Sequence, residues 1–179
     1  MASATVARMD PYLDRLAGLL GERDPIPVLT ATPVRLDSFA TSLPEDAWDR
    51  PWRPGGWSAR RIVAHLCDQE IGFGFRVRQT VAAAGAEGAD GAHEHVAQPY
   101  DQDAWARPYD RLDATVAVQG FVGLRAWNLA WLARLDLNDW LACYRHPERG
   151  TVESVDEAVR FLAGHDLNHL TQLDLIARG

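Results

Sequence analysis

Three histidines in this chain are spaced in a way that suits the coordination of a metal ion. His165 and His169 are four residues apart, so in a helix their imidazoles project from one face, one turn apart. That spacing is a common way for one helix to supply two metal ligands. His65 lies in a separate apolar segment and could supply a third. Three neutral imidazoles leave at least one coordination position open, which is typical of catalytic rather than structural metal sites.

Histidines on apolar helix faces also occur without a metal. A single one is more often a hydrogen-bonded core residue than a ligand, so the spacing alone leaves both interpretations open. The segment from His165 to His169 reads HDLNH, with Asp166 where the HExxH pattern of zinc proteases has its glutamate base. Peptide hydrolysis by that mechanism is therefore not supported, and the sequence identifies no catalytic acid, base or nucleophile.

Further side chains are candidates for the surroundings of the metal or for a substrate pocket. Asp68 and Asp166 could each orient a ligand imidazole, or could simply be solvated helix charges. Arg76 could bind a substrate carboxylate, although a surface ion pair is the commoner role for such a residue. The remaining candidates are two amides and two aromatic residues: Gln69, Gln172, Trp57 and Trp105. The other histidines, His93, His95 and His146, are interpreted as loop residues, with His146 at the rim of the site.

Helical periodicity predicts the elements that position these residues. A short amphipathic helix over 1–22 is followed by a break at Asp24-Pro25-Ile26-Pro27, because prolines disfavour a helix interior. Further helices are predicted from Thr32-Pro33 to about residue 43, and over about 59–84, 112–135 and 155–177. No segment shows a convincing strand alternation. The predicted fold class is therefore all-α, a four-helix bundle with an N-terminal elaboration.

Each metal-ligand candidate interrupts an apolar stripe on its helix. Polar residues at such positions are informative, because each needs a partner once it is buried. The stripe of the long central helix is Ile62, His65, Leu66, Gln69 and Phe73, and that of the last helix is Val155, Ala158, Val159, Leu162, His165, His169, Gln172, Leu173 and Ile176. In the helix between them, one side carries Leu124, Trp127, Trp131 and Leu135.

Composition limits the classes of partner. The 179 residues carry a formal net charge of −7 and contain no lysine, whereas nucleic-acid binding needs clustered basic residues. No apolar window is long enough to span a membrane, and the first twenty residues lack the apolar core of a signal peptide. We therefore expect a cytoplasmic protein. In that reducing compartment Cys67 and Cys143 should remain unpaired.

Several segments, taken together and in order, resemble one known family. They are RPGGWS at 53–58, VAHLCD at 63–68, PYD at 99–101 with Ala104-Trp105, YRHPE at 144–148 and GHDLNH at 164–169. The chain is similar over residues 30–178 to the DinB superfamily, and within it to the YfiT-like group, which is related to bacillithiol S-transferases. Two features differ from the common pattern, because Ala64 replaces a second histidine and the segment 166–168 lacks a further histidine or basic residue.

The resemblance implies a four-helix bundle whose metal ligands fall on His65, His165 and His169. It also implies a division into a short N-terminal extension, 1–25, and a bundle domain, 26–179. Members often form dimers, so a homodimer is expected.

The resemblance further implies chemistry on small molecules. Known activities of the family are transfers or isomerisations that use a low-molecular-weight thiol, and some members are called metal-dependent hydrolases. The expected function is a metal-dependent thiol S-transferase that uses a bacillithiol-like thiol on small electrophiles, with Zn²⁺ or Ni²⁺ as the metal. Two alternatives stay open: a metal-dependent hydrolase, and a non-catalytic metal-binding stress-response protein of the same fold.

Overall fold

The computed structural model describes residues 10–86, 95–99 and 101–179. The helices in this part of the chain are α1 Pro11–Leu20, α2 Pro25–Ser42, α3 Ala59–Ala86, α4 Gln102–Trp105, α5 Ala114–Leu132, α6 Leu137–Leu141 and α7 Val155–Ala177. Two strands, β1 Cys143–Arg145 and β2 Val152–Ser154, and two 3₁₀ turns, Glu45–Ala47 and Tyr109–Arg111, complete the described elements. None of the described helices is long and apolar enough to cross a membrane.

The four long helices α2, α3, α5 and α7 form a bundle, which confirms the predicted fold class. Helix α3 packs against α5 and α7, and α2 packs against α5 and α7. The core between them is apolar, with Leu36, Ile62, Phe121 and Leu173 almost completely buried. Both histidine-bearing helices, α3 and α7, therefore face each other across this core.

Helix α7 begins and ends where the sequence predicted. The Ser154 side chain accepts a hydrogen bond from the Glu157 amide, while the Glu157 carboxylate accepts one from the Ser154 amide. This capping box satisfies backbone donors at the start of the helix. Every residue of the predicted stripe from Val155 to Ile176 is buried.

Helix α2 begins seven residues earlier than Thr32, where the sequence analysis placed its start. Asp24 caps it by accepting a hydrogen bond from the Ile26 amide at 2.9 Å. Pro25 and Pro27 then lie in the first turn, where backbone N–H groups have no partner within the helix. The predicted break at Asp24-Pro25-Ile26-Pro27 is therefore the cap and first turn of the helix.

Pro33 lies inside α2 and cannot donate to the carbonyl of Leu29, four residues earlier. The Arg125 guanidinium of α5 donates to that carbonyl at 2.9 Å instead. A side chain from a neighbouring helix thus replaces the missing backbone bond.

A small antiparallel hairpin lies between the helices predicted over 112–135 and 155–177, where the sequence predicts no strand. Cys143 pairs with Ser154, and Arg145 pairs with Val152. Each strand has only three residues, too few for an alternation of polar and apolar residues to be recognised. Cys67 and Cys143 are free thiols, as expected.

Helix α1 packs on α7 and buries Leu16 and Leu20. The two helices approach closely at Gly164, where a Cβ atom would lie 2.5 Å from the Leu16 carbonyl oxygen. Glycine allows this contact because it has no side chain. Residues 1–9 of the predicted first helix lie outside the described residues, and the division of the chain at residue 25 stays a prediction.

Candidate metal centre

The three predicted histidines meet in the core of the bundle. Helix α3 contributes His65, and α7 contributes His165 and His169 from successive turns. The Nε2 atom of His165 lies 3.0 Å from that of His65 and 3.1 Å from that of His169. In a tetrahedral site with metal–nitrogen bonds of 2.0–2.1 Å, ligand nitrogens are about 3.3 Å apart. The cluster therefore has the dimensions of a three-histidine site that could hold a metal ion.

Burial keeps the three imidazoles uncharged. Burial, with a smaller effect of His169, lowers the pKa of His65 to about 3, and burial lowers the pKa of His169 to about 4. The pKa of the fully enclosed His165 is also lowered well below its usual value, again chiefly by burial. Neutral imidazole is the form that binds a metal, because the lone pair must be free.

The contacts of His169 fix which of its nitrogens carries the proton. Its Nδ1 lies 2.9 Å from the Gln172 amide oxygen, which can only accept. Nδ1 therefore donates, and Nε2 presents its lone pair to the cluster. The Nδ1 atoms of His65 and His165 are buried and have no hydrogen-bond partner among the described residues.

Aromatic rings enclose the cluster on two sides. Trp57, a predicted candidate, meets the His65 ring edge to face with the centroids 5.0 Å apart. Phe161 stacks on the His165 ring at a centroid distance of 5.9 Å. Both contacts limit rotation of the imidazoles and keep water away from their outer faces.

A cavity of about 440 Å³ opens onto His165. Its walls come from α1, α3, α7, the residues around the start of α4 and the β1–β2 hairpin. The predicted Gln69 and Arg76 line it, together with Tyr12, Phe73, Asp101, Gln102, Tyr144, His146, Pro147, Glu148, Arg149, Glu153, Ala158 and Phe161. Sequence analysis missed the hairpin residues except His146, because it placed no ordered element there.

The two predicted carboxylates have partners other than the histidines. Asp68 accepts a 2.6 Å hydrogen bond from the Tyr109 hydroxyl. Asp166 forms an ion pair of 2.7 Å with Arg125. Trp105 is 42% exposed and lines a neighbouring cavity of about 380 Å³. His93 and Tyr100 lie outside the described residues.

Behind α7 lies a buried polar network that the sequence analysis did not identify. Arg125 forms ion pairs of 2.7 Å with both Glu70 and Asp166, and all three side chains are at most 1% exposed. Asn128 donates a 3.0 Å hydrogen bond to Glu70. The available signal is Arg125 and Asn128, two polar residues three apart in the apolar second half of α5. The network joins α3, α5 and α7 at the level of the histidines, since Asp166 follows His165 directly.

The model of the DinB superfamily matches residues 29–173 of the chain. The chain belongs to the DinB superfamily. A relative from Oceanobacillus iheyensis is 24% identical over 147 residues, which cover 82% of this chain and 80% of the relative. YfiT of Bacillus subtilis is 22% identical over 155 residues, 86% of this chain and 82% of YfiT. Both relatives carry the provisional description of metal-dependent hydrolase.

The solved structure of YfiT from Bacillus subtilis has the same fold. It superposes with a TM-score of 0.75 at 19% sequence identity, over 99% of this chain and 92% of the YfiT chain. That structure is described as a four-helix bundle of unusual topology. The likeness extends to α1, which the family model does not cover.

Proposed function

We propose that this DinB-superfamily protein is a metal-dependent thiol S-transferase whose metal is held by His65, His165 and His169. Its substrates are a low-molecular-weight thiol of the bacillithiol kind and a small electrophile. The observation that carries the proposal is the convergence of three neutral imidazole nitrogens beside a cavity that a small molecule can enter. Imidazole ligands suit several divalent transition metals, of which Zn²⁺ and Ni²⁺ are proposed.

The composition of the cavity wall supports a nucleophile that comes from outside the protein. Among its described lining residues there is no cysteine, serine, threonine or lysine. Cys67 lies elsewhere, and burial raises the pKa of its thiol to about 11, which makes it a poor nucleophile. A small thiol that enters the cavity would supply the nucleophilic sulfur.

The protein's own residues prepare the site. Burial holds the three imidazoles neutral, and Gln172 holds His169 in the tautomer that binds a metal through Nε2. Phe73 and Phe161 provide apolar wall on which the electrophile can pack. When bound, a divalent metal lowers the pKa of a coordinated thiol so that the sulfur reacts as a thiolate near neutral pH.

Hydrolysis is the second candidate, and the provisional description of the relatives favours it. In that case the nucleophile would be water, and no thiol would be needed. The test must therefore compare turnover with and without thiol.

The experiment measures transfer of a thiol to chlorodinitrobenzene by protein loaded with Zn²⁺ or Ni²⁺. Bacillithiol is tried first and then other small thiols. We expect a rate that saturates with thiol, disappears on chelation, and persists at pH values below the ordinary thiol pKa of about 8.5. The His165→Ala variant should lose the rate, while Arg35→Gln, a change at an exposed ion pair on α2, should retain it.

A parallel assay supplies ester and amide substrates without thiol. Metal-dependent turnover there, with no thiol transfer above background, would replace the transferase with the hydrolase. Failure of metal-loaded protein in both assays would reject both activities and favour a non-catalytic metal-binding protein.

A further inference from the structure

The Arg76 guanidinium lies in the cavity beside the histidine cluster without a carboxylate partner. Its side chain is half-buried, and its Nε is completely buried with no hydrogen-bond partner among the described residues. Arg76 forms no ion pair within the described chain. Its contact there is with Tyr144, whose ring centroid lies 5.5 Å from the guanidinium carbon and whose hydroxyl also interacts with the guanidinium. The other arginine of the cavity differs, because Arg149 is paired with Glu153 at 2.6 Å.

His146 presents a second donor to the same cavity. The side chain is 94% buried, and its Nδ1 lies 3.3 Å from the backbone amides of Glu148 and Arg149. Those amides can only donate, so Nδ1 accepts and the neutral ring carries its proton on Nε2. Burial, followed by the charge of Arg149, lowers the pKa of His146, which keeps the ring neutral. Nε2 has no hydrogen-bond partner among the described residues.

None of the three carboxylates that line the cavity, Asp101, Glu148 and Glu153, forms an ion pair with Arg76 within the described residues. Glu153 accepts hydrogen bonds from the Tyr144 hydroxyl at 2.8 Å and from Arg149 and Thr151. Asp101 accepts from the amide of Ala104 at the start of α4. A guanidinium without a paired carboxylate can bind a ligand oxyanion without first breaking an ion pair.

We propose that Arg76 and His146 form an oxyanion-binding end of this cavity, which selects substrates that carry a carboxylate or phosphate group. The planar guanidinium can bind two oxygens of such a group at once, and the Nε2–H of His146 can donate to one of them. The inference rests on the proposed function, since it assigns the reacting sulfur to the histidine cluster and the anionic group to the other end of the same molecule.

The positions of His65 and Arg76 on α3 separate the metal end of the cavity from its oxyanion-binding end. Arg76 follows His65 by eleven residues on α3, close to three full turns, so both lie on one face about 16 Å apart along the helix axis. Gln69 and Phe73 line the wall between them. The selected molecule therefore has its reactive atom and its anionic group at opposite ends of an uncharged middle.

The first arm of the test measures binding to metal-free protein, so that it does not depend on the proposed activity. Succinate, inorganic phosphate and neutral succinamide are titrated by calorimetry against wild type, Arg76→Gln, His146→Gln and the control Arg35→Gln. Wild type and Arg35→Gln should bind an oxyanion, and each cavity variant should bind it about tenfold or more weakly. Preference for succinate assigns the group as a carboxylate, and preference for phosphate assigns it as a phosphate.

The second arm measures S-transfer by metal-loaded protein with mercaptohexanoate and with its amide. Wild type and the control Arg35→Gln should favour the acid by about tenfold or more in kcat/KM, and Arg76→Gln should remove that preference. Equal binding of anions by wild type and both cavity variants, or equal use of acid and amide by wild type, would overturn the inference. If wild type transfers the thiol but does not prefer the acid, the proposed transferase activity stands and the oxyanion-binding end is rejected. If wild type binds anions but transfers no thiol, the transferase activity is rejected and the oxyanion-binding end stands.

Discussion

At the scale of single residues, burial and local hydrogen bonds decide what each histidine can do. The imidazoles of His65, His165 and His169 are neutral because the core excludes the charged form, and Gln172 selects the tautomer of His169. His146 is directed in the opposite sense, since backbone amides occupy its Nδ1 and leave an N–H for a ligand. Histidine thus has two roles in this protein. In the cluster its ring nitrogen presents a lone pair, and in the cavity His146 presents a hydrogen-bond donor.

The lowered pKa values predict how the stability of the metal-free protein depends on pH. Well above the ordinary histidine pKa of about 6.5 the histidines are neutral in both the folded and the unfolded chain, so their contribution is constant. As pH falls from there towards 4 for His169 and 3 for His65, the unfolded chain binds protons that the folded chain does not. The free energy of unfolding should then fall by up to about 1.4 kcal/mol per pH unit for each histidine.

Urea unfolding of metal-free protein between about pH 7.5 and 5 measures this slope. The His65→Leu variant removes one of the buried titrating groups, so its slope should be smaller by about one proton. An identical slope in wild type and variant would show that His65 titrates normally in the folded chain.

The spacing of the histidines could be recognised from the sequence, whereas the partners of the nearby carboxylates could not. An i, i+4 pair on one helix has a defined geometry whatever surrounds it, so His165 and His169 were predicted to point the same way. Whether Asp68 and Asp166 orient an imidazole depends on which other side chains reach them. Tyr109 binds Asp68 and Arg125 binds Asp166, each from a distant part of the chain. Local sequence patterns cannot predict such contacts.

At the scale of elements, the buried network around Arg125 joins the helices that carry the site. Arg125 binds Glu70 of α3, Asp166 of α7 and the Leu29 carbonyl that Pro33 leaves free in α2. Buried ion pairs of this kind are not strongly stabilising by themselves, but loss of one partner leaves uncompensated charge in the core. The network therefore fixes the rotation of α7 about its own axis and its position along that axis relative to α3.

Replacement of Arg125 by methionine should destabilise the metal-free protein strongly. The change leaves the carboxylates of Glu70 and Asp166 buried without a cation, which costs about 3–5 kcal/mol. Urea unfolding at neutral pH measures the loss. Arg35→Met, which removes an exposed ion pair with Asp174, is the control and should change the free energy of unfolding by less than about 1 kcal/mol. Equal effects of the two substitutions would contradict the assigned role of the network.

In helix α5, apolar periodicity alone does not identify which face is buried. The side marked by Leu124, Trp127, Trp131 and Leu135 is not the buried face, and Trp127 is 64% exposed. The buried face carries Phe121, Arg125, Asn128 and Leu132. Because most faces of this helix are apolar, its orientation depends on the buried charges of neighbouring helices. Helix α7 has one clear stripe, and there the prediction is confirmed.

At the scale of the whole molecule, a bundle core positions the histidines and smaller elements build the cavity. The four long helices follow from apolar periodicity and caps, which are local properties of the sequence. The cavity needs α1, the residues around α4 and a hairpin with strands of three residues. Those elements depend on long-range contacts, so Tyr12, Tyr144 and Arg149 could not be assigned to the site from their neighbours in the sequence. The expected homodimer stays a prediction.

The metal content of the purified protein tests the central claim most directly. Elemental analysis of untagged protein should find about one divalent transition metal per chain, as a single three-ligand site requires. The double variant His165→Ala, His169→Ala should contain almost none, because His65 alone cannot retain the ion. His146→Ala, which removes a buried histidine of the same cavity outside the cluster, should keep the wild-type content. Full occupancy in the double variant would contradict the assignment of the metal to these histidines.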